Sequence, residues 1–406
     1  MKSKRGELKL VFMTYLLCFA IFGNLFVLKQ PFDKGALIMA FIICLLFTYA
    51  YIIIRRFFPD GDKFIIIFAA MLSIVGIAML HRLDPVLETS LAIKQIIWFT
   101  VGMAGFIAII VLLPDLRTFA KYKYVYMIAT IILMAMATFI GSERGGSKNW
   151  VYVGSFGFQP SEVGKLFLTA YLASALKDYK NFKNLFEPAF VVMLSLGFMV
   201  LQKDLGSALI FFGLSVTMLY IATSKFKYVA VCFVLFALGA FVSYKLFDHV
   251  RVRVDIWLNP WADPYVKGHQ LIQSLIAIAS GGFFGTGLGM GHPEFVPVRE
   301  SDFIFAAICE EFGVLIGFGI IILYFLLFYR CIRAALFSDD RFSQLLAVGY
   351  SSMIASQVLV IIGGVVGAIP LTGITMPLIS YGGTSMFATF FALGIIQKIS
   401  EDAKAV

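Results

Sequence analysis

Apolar runs of roughly 20 residues, the length that crosses a bilayer as a helix, recur along this chain between short polar turns. They predict helices over 10–28, 35–54, 64–80, 95–113, 124–140, 188–202, 206–222, 228–247, 303–328 and 344–363, with weaker candidates at 164–176 and 386–398. The pattern predicts an all-α polytopic membrane protein of about 12 transmembrane helices. An even number of crossings puts both termini on one side. The first run follows MKSKRGELK without a small-residue cleavage site, so it reads as an uncleaved helix rather than a signal peptide. There is no fixed-period repeat. The two halves lack the matched broken helices expected of an inverted-repeat transporter.

The places where the pattern breaks are more informative than the runs. Residues 364–385, GVVGAIPLTGITMPLISYGGTS, are uncharged and apolar yet carry too much Pro and Gly for a straight helix. Such backbone at membrane depth must be covered by protein or line a cavity, so it is a candidate wall for a lipid-carrying groove. Residues 248–302 form the longest polar interruption. It contains DIWLNPWADPYVKGHQ, followed by an apolar, glycine-broken segment, 274–291, that reads as re-entrant and mobile.

Composition supports the membrane reading. The chain has 406 residues, 60% hydrophobic and 14% charged, against about 25% charged in a soluble domain. The net charge of +9 comes from basic loops on one face: RRFFPDGDK, LRTFAKYK, KDYKNFK, SKFK and YRCIR, together with both termini. The opposite loops hold only Lys29, Lys34, Arg82, Lys94, Arg144, Lys148 and Lys203 outside 248–302. The positive-inside rule therefore places both termini in the cytoplasm, and 141–163, 202–206, 248–302 and 364–385 on the outer face. No nucleic-acid partner is needed to explain the charge; anionic lipid headgroups add a second use for it. The five cysteines show no pairing pattern and read as small buried hydrophobes.

Five groups are candidates for chemistry. Asp263 sits between Trp261 and Pro264, close to Arg251 and Arg253. It is either a turn residue, since Asp-Pro favours turns, or a base. Glu162 and Lys165, after the helix start Gln159-Pro160-Ser161, share one helical face. They form either a local ion pair or a charged pair facing a polar cavity. Asp204 caps the next helix or lines the same cavity. Glu310 and Glu311 lie inside an apolar run and must face an interior. The segment 141–165 reads as a Gly/Ser loop with Lys148 near its centre. His81, His249, His269 and His292 show no ligand spacing, and no phosphate loop or hydrolase motif is present, so no metal or cofactor is expected.

These motifs resemble, in order, those of the SEDS family of bacterial growth, division and sporulation proteins (RodA, FtsW, SpoVE). The resemblance runs from about Phe64 to the C-terminus. It rests on HRLDP with KQIIW, FQPSEVGK, KDLGSAL, RVDIWLNPWADPYVKGHQLIQSLIAIASGGFFGTGLG, SDFIFAAICEEFG and PLTGITMPLISYGGTS. It implies a core of ten helices at 61–406, with two additional helices in 1–60. It also implies a peptidoglycan glycosyltransferase that polymerises lipid II, an undecaprenyl-pyrophosphoryl disaccharide-peptide, beside a class B penicillin-binding protein. Asp263 then takes the place of the family's essential loop aspartate. Arg253, Arg251, Lys148, Glu162, Lys165, Asp204, His269, Gln270 and Ser380 become substrate-binding candidates. Asn149 stands where the family usually has Arg, Lys203 where it has Pro, and His269 where it has Tyr. Two rival functions are a lipid II flippase and a non-catalytic scaffold for the penicillin-binding protein.

Overall fold

A computed structural model describes residues 2–144, 146–154 and 156–403. Gly145 and Ser155, in the predicted loop 141–163, lie outside the described residues. Fourteen α-helices appear among the described residues, and ten segments are long and apolar enough to cross a membrane. Each strong apolar run falls on one of the helices, to within one residue at an end. The two weaker candidates form α6 (Pro160–Leu176) and α14 (Gly383–Asp402). The chain divides into two compact units.

The first unit comprises 1–113, 273–337 and 375–406. It holds α1 (Lys2–Leu28), α2 (Lys34–Phe57), α3 (Phe64–Leu87), α4 (Leu91–Leu112), α12 (Ile304–Leu336) and α14. Its centre is α3, apolar on every side and buried without interruption from Ile65 to Leu80. Small residues set the packing distances, as expected where helices meet without a hydrophobic drive from water. Gly76 lies against the Ile379 backbone, Gly102 under the Phe390 ring and Gly383 under Trp98.

A second close approach occurs inside α12. Gly313 (φ 85°, ψ 164°) breaks the helix, a conformation open essentially to glycine alone. The segment after α11 (His269–Gly281) fills the break. Thr286 N donates to Glu310 O (2.9 Å), Gly287 N to Glu311 O (3.0 Å), Val314 N to Gly282 O (2.9 Å) and Leu315 N to Phe283 O (3.2 Å). Gly281, Gly285 and Gly313 let the two backbones touch. The glycines that suggested mobility in 274–291 thus serve a hydrogen-bonded interlock, which restores the polar pairing that a broken membrane helix loses.

The second unit comprises 114–272 and 338–374. Here α13 (Arg341–Val365) packs on α6 and on α8 (Leu205–Thr223), with Gly349 against Thr169 and Met218 and Gly213 against Ser356. The helices α5 (Lys123–Ile140), α7 (Phe186–Leu201) and α9 (Phe226–Leu246) complete its long elements. The predicted loop 141–163 is instead a three-stranded antiparallel sheet, β1 (Ser142–Arg144), β2 (Ser147–Val153) and β3 (Phe156–Phe158). The β-branched and aromatic run NWVYV is strong enough to pair despite its Gly/Ser neighbours. The long interruption also contains a further helix, α10 (Asp248–Leu258).

Gly313→Ala must place a side chain in a glycine-only conformation against the backbone of 283–285, at a cost of about 1–3 kcal/mol. Gly319→Ala, in open space on the same helix, is the control. Thermal unfolding of the purified protein should show a lower midpoint for the first variant and little change for the second.

Candidate active site

The second unit gathers most of the predicted site residues. Pro160 starts α6, the position where its missing N–H costs nothing. Ser161 is a first-turn residue and not the cap, which falls on Gln159. Glu162 also lies in the first turn, favoured there by the helix dipole. One turn on, Lys165 Nζ meets Glu162 Oε2 at 2.8 Å. Both are buried, Lys165 almost completely. Lys165 also donates to Gln357 Oε1 of α13 at 2.6 Å. Gln357 carried no sequence signal, being an amide in an apolar helix 192 residues away.

Asp204 takes the first of the two roles the sequence allowed, that of a helix cap, and is buried. Its Oδ1 accepts from Ser207 N (3.0 Å), which caps α8. Its Oδ2 accepts from Asn149 Nδ2 (2.8 Å), Gln159 Nε2 (3.3 Å) and Ser207 Oγ (2.8 Å). Asn149 thus ties the sheet to the start of α8. Two further bonds hold the sheet: Lys148 N to Gln202 O at 2.8 Å and Ser147 Oγ to Lys203 O at 2.9 Å. The Lys148 side chain itself is exposed.

Asp263 follows a 3-10 turn, Pro260–Ala262. The turn 259–268 closes through Gly268 N to Asp263 O (2.8 Å), with Gly268 so close to the Pro260 carbonyl that a Cβ would overlap it. Asp263 Oδ1 accepts from Val266 N at 3.3 Å. Its Oδ2 has no protein partner among the described residues. The side chain is half-buried, while Trp261 and Tyr265 beside it are exposed. The base of this turn is fastened to the irregular stretch after α13. Trp257 Nε1 donates to Gly367 O (2.9 Å), and Arg253 Nη1 to Leu371 O (3.4 Å) and Thr372 O (3.2 Å). Arg251 is exposed, 3.5 Å from Asp248. His269 and Gln270 open α11. His249 on α10 is held below the ordinary imidazole range, first by burial and then by the positive charge of Arg253 and Lys203, so it adds no charge near neutral pH.

The first unit holds the remaining candidates. Ser380 is buried in a turn: its Oγ donates to Ser301 O (2.5 Å) and accepts from Met376 N (2.8 Å). Glu310 and Glu311 face an interior, as their setting required. Glu311 pairs with Arg82 Nε at 3.0 Å and accepts from Gly289 N at 3.0 Å, while Glu310 accepts from His292 N at 2.9 Å. Arg82 reaches on to the carbonyls of Gly289 and Gly291 (3.3 and 3.4 Å). Arg82 stands in the motif HRLDP, but spacing alone does not show that it is Glu311's partner. No group of three or more His, Cys, Asp or Glu side chains is placed to hold a metal among the described residues.

Removing one member of a buried ion pair strands the other, at a cost of about 3–5 kcal/mol. Lys165→Met should therefore lower the unfolding temperature sharply. Lys165→Met combined with Glu162→Gln should recover most of the loss. Equal destabilisation by the single and double variants would show that the pair is not the determining contact.

The sequence profile of the FtsW/RodA/SpoVE family, described as "Cell cycle protein", matches residues 62–405. Peptidoglycan glycosyltransferase RodA of Mycobacterium tuberculosis is 36% identical, over 96% of this chain and 90% of its own length. Stage V sporulation protein E of Bacillus subtilis is 34% identical, over 84% and 96%. A chain from the solved structure titled "Structural coordination of polymerization and crosslinking by a peptidoglycan synthase complex" superposes with a TM-score of 0.73 at 29% identity, covering 84% of this chain and 98% of its own. The Rod shape determining protein RodA of Thermus thermophilus gives 0.64 at 25% identity, covering 84% and 97%. This chain belongs to the FtsW/RodA/SpoVE family of cell cycle proteins.

Proposed function

We propose that this protein, a peptidoglycan glycosyltransferase, polymerises lipid II into glycan strands with Asp263 as general base. The family membership and the named activity of its relatives support the reaction class. The observation that supports the base is a comparison among carboxylates of the second unit. Both oxygens of Asp204 are committed to hydrogen bonds, and Glu162 is committed to Lys165. Asp263 alone of the three combines partial exposure with an oxygen that has no protein partner among the described residues.

The scheme needs two things from the protein. The acceptor sugar's hydroxyl is a weak nucleophile and must lose a proton as it attacks, which is the role of Asp263. The departing pyrophosphate needs its charge neutralised. Arg253, braced by two carbonyls, is the first candidate for that task, with Arg251 and Lys148 as outlying cations. Glu162 and Lys165 support the site from within the helix. A single base with in-line displacement inverts the anomeric centre, so no glycosyl-enzyme intermediate is required. The isoprenoid runs along the apolar, irregular stretch 366–374, to which Arg253 and Trp257 fasten α10. Leaving it in water would cost about 0.8 kcal/mol per CH₂.

The positive-inside rule, applied to the basic loops, supports cytoplasmic termini and an external Asp263 turn. A class B penicillin-binding protein is the fitting partner, since new strands must be crosslinked and a similar chain was solved in a peptidoglycan synthase complex. The polymer assay below separates this reading from both rivals: a flippase moves lipid II across vesicles without joining it, and a scaffold supports strand synthesis without Asp263.

Asp263→Asn should reduce polymerisation of lipid II by purified protein by about 10²–10⁴-fold with the thermal midpoint unchanged. Near-normal strand synthesis by this variant would remove the base. Arg253→Ala should weaken lipid II use more than Arg253→Lys. Equal and unimpaired activity of the two would exclude Arg253 from pyrophosphate binding.

A further inference from the structure

The basic loops of the second unit are not uniformly paired. Three of their cations have carboxylates nearby: Arg117 with Asp115 (3.9 Å), Lys123 with Glu187 (3.0 Å) and Lys177 with Asp178 (3.8 Å). Lys180, Lys183, Lys225 and Lys227 have none within 4 Å among the described residues, and all four are exposed. Lys180 and Lys183 lie between α6 and α7, Lys225 between α8 and α9, and Lys227 in the first turn of α9. Two tyrosines bring these segments together. Tyr179 and Tyr228 share a hydrogen bond between their hydroxyls (3.3 Å), and Phe182 packs on the Tyr228 ring (5.9 Å between centroids).

Lys225 sits over this pair. Its Nζ donates to the Tyr179 hydroxyl (3.3 Å) and lies 5.6 and 5.7 Å from the two ring centroids. Lys227 Nζ lies 5.4 Å from the Tyr228 ring. The rings hold two ammonium groups in place without neutralising them, since a cation–π contact contributes attraction but no counter-charge. The result is a pre-positioned cluster of ammonium and phenol donors with a net positive charge. That is the chemistry of a phosphate monoanion site.

The surroundings decide what carries the phosphate. The cluster lies at the ends of α8 and α9, both long and apolar enough to cross a membrane. Phe182, Phe186 and Phe226 beside it are 56%, 61% and 72% exposed. A soluble phosphate has no use for three bare rings. A lipid whose glycerol and first methylenes rest on aromatic surface while its headgroup meets the lysines uses both. We propose that the Tyr179–Lys225–Tyr228 cluster is a binding site for the phosphate headgroup of an anionic glycerophospholipid. It is independent of the catalytic reading above.

The test titrates the full-length protein in detergent with phosphatidylglycerol or phosphatidylcholine and counts bound lipid by native mass spectrometry. A saturable phosphatidylglycerol adduct is expected that phosphatidylcholine does not displace. Each lysine near a membrane surface contributes about fivefold, so Lys225→Gln/Lys227→Gln should weaken binding about 25-fold. The charge-matched control Lys9→Gln/Arg56→Gln, on exposed residues of the first unit, should leave it unchanged. Tyr179→Phe/Tyr228→Phe, which keeps the charge and the rings, should weaken it less than the lysine pair. Equal weakening by the control would reduce the effect to diffuse charge and overturn the proposal. Binding unchanged in the lysine variant, or displacement by glycerol phosphate at the lipid's own concentration, would overturn it as well.

Discussion

Inside a bilayer no water stands ready to replace a lost backbone hydrogen bond, and this requirement bears on two departures from helix in the structure. Where α12 breaks at Gly313, the amides of Val314 and Leu315 and the carbonyls of Glu310 and Glu311 pair with the 282–287 segment. The two carboxylates in the same stretch then bind further amides of the glycine-rich turn, and Arg82 balances Glu311. After α13, the irregular stretch gives carbonyls to Arg253 and Trp257 and folds back through Ala368 N to Gly363 O (2.7 Å). These bonds pin the irregular regions at defined points. That lets them hold polar side chains in fixed positions.

Within such a frame, three carboxylates of one unit acquire three roles from their surroundings alone. Asp204 is saturated by donors and serves architecture, joining sheet to helix. Glu162 is neutralised by an ammonium one turn away and serves to keep a lysine inside a membrane protein. Asp263 lies on a turn closed by Gly268 N on its carbonyl, with Val266 N on one carboxylate oxygen and no protein partner for the other among the described residues. A base must be positioned but not consumed by its positioning contacts. Of the three, Asp263 alone keeps a partly exposed oxygen without a protein partner among the described residues, which is the ground of the proposed role.

Local spacing carried much of this. The apolar runs marked the helices, the i,i+3 relation paired Glu162 with Lys165, and Asp204 before an apolar run marked a cap. Side-chain cost alone placed Glu310 and Glu311 in an interior. What was hidden depends on distant parts of the chain. Gln357 as the second partner of Lys165, Arg82 as the partner of Glu311, and Asn149 as a donor to Asp204 are all set by how helices stack. The sheet at 142–158 was masked by Gly and Ser, which turns and short strands share. The glycines of 281–289 misled for a related reason: the same residue permits looseness and permits two backbones to touch. Only the neighbours tell which.

The spacing of Glu162 and Lys165 has a consequence for how the protein is made. Gln357 lies 192 residues further along, so α6 must enter the membrane long before α13 exists to receive it. A bare charge costs about 2.5–3.5 kcal/mol at the centre of an inserting helix and less toward its end, where Glu162 and Lys165 stand. Because the two charges sit one turn apart, the helix completes its own ion pair as it coils and enters as a nearly neutral segment. A lysine matched only by a partner on α13 would have to wait, charged, through half of translation. The i,i+3 spacing thus lets the pair form before the amide on α13 is made.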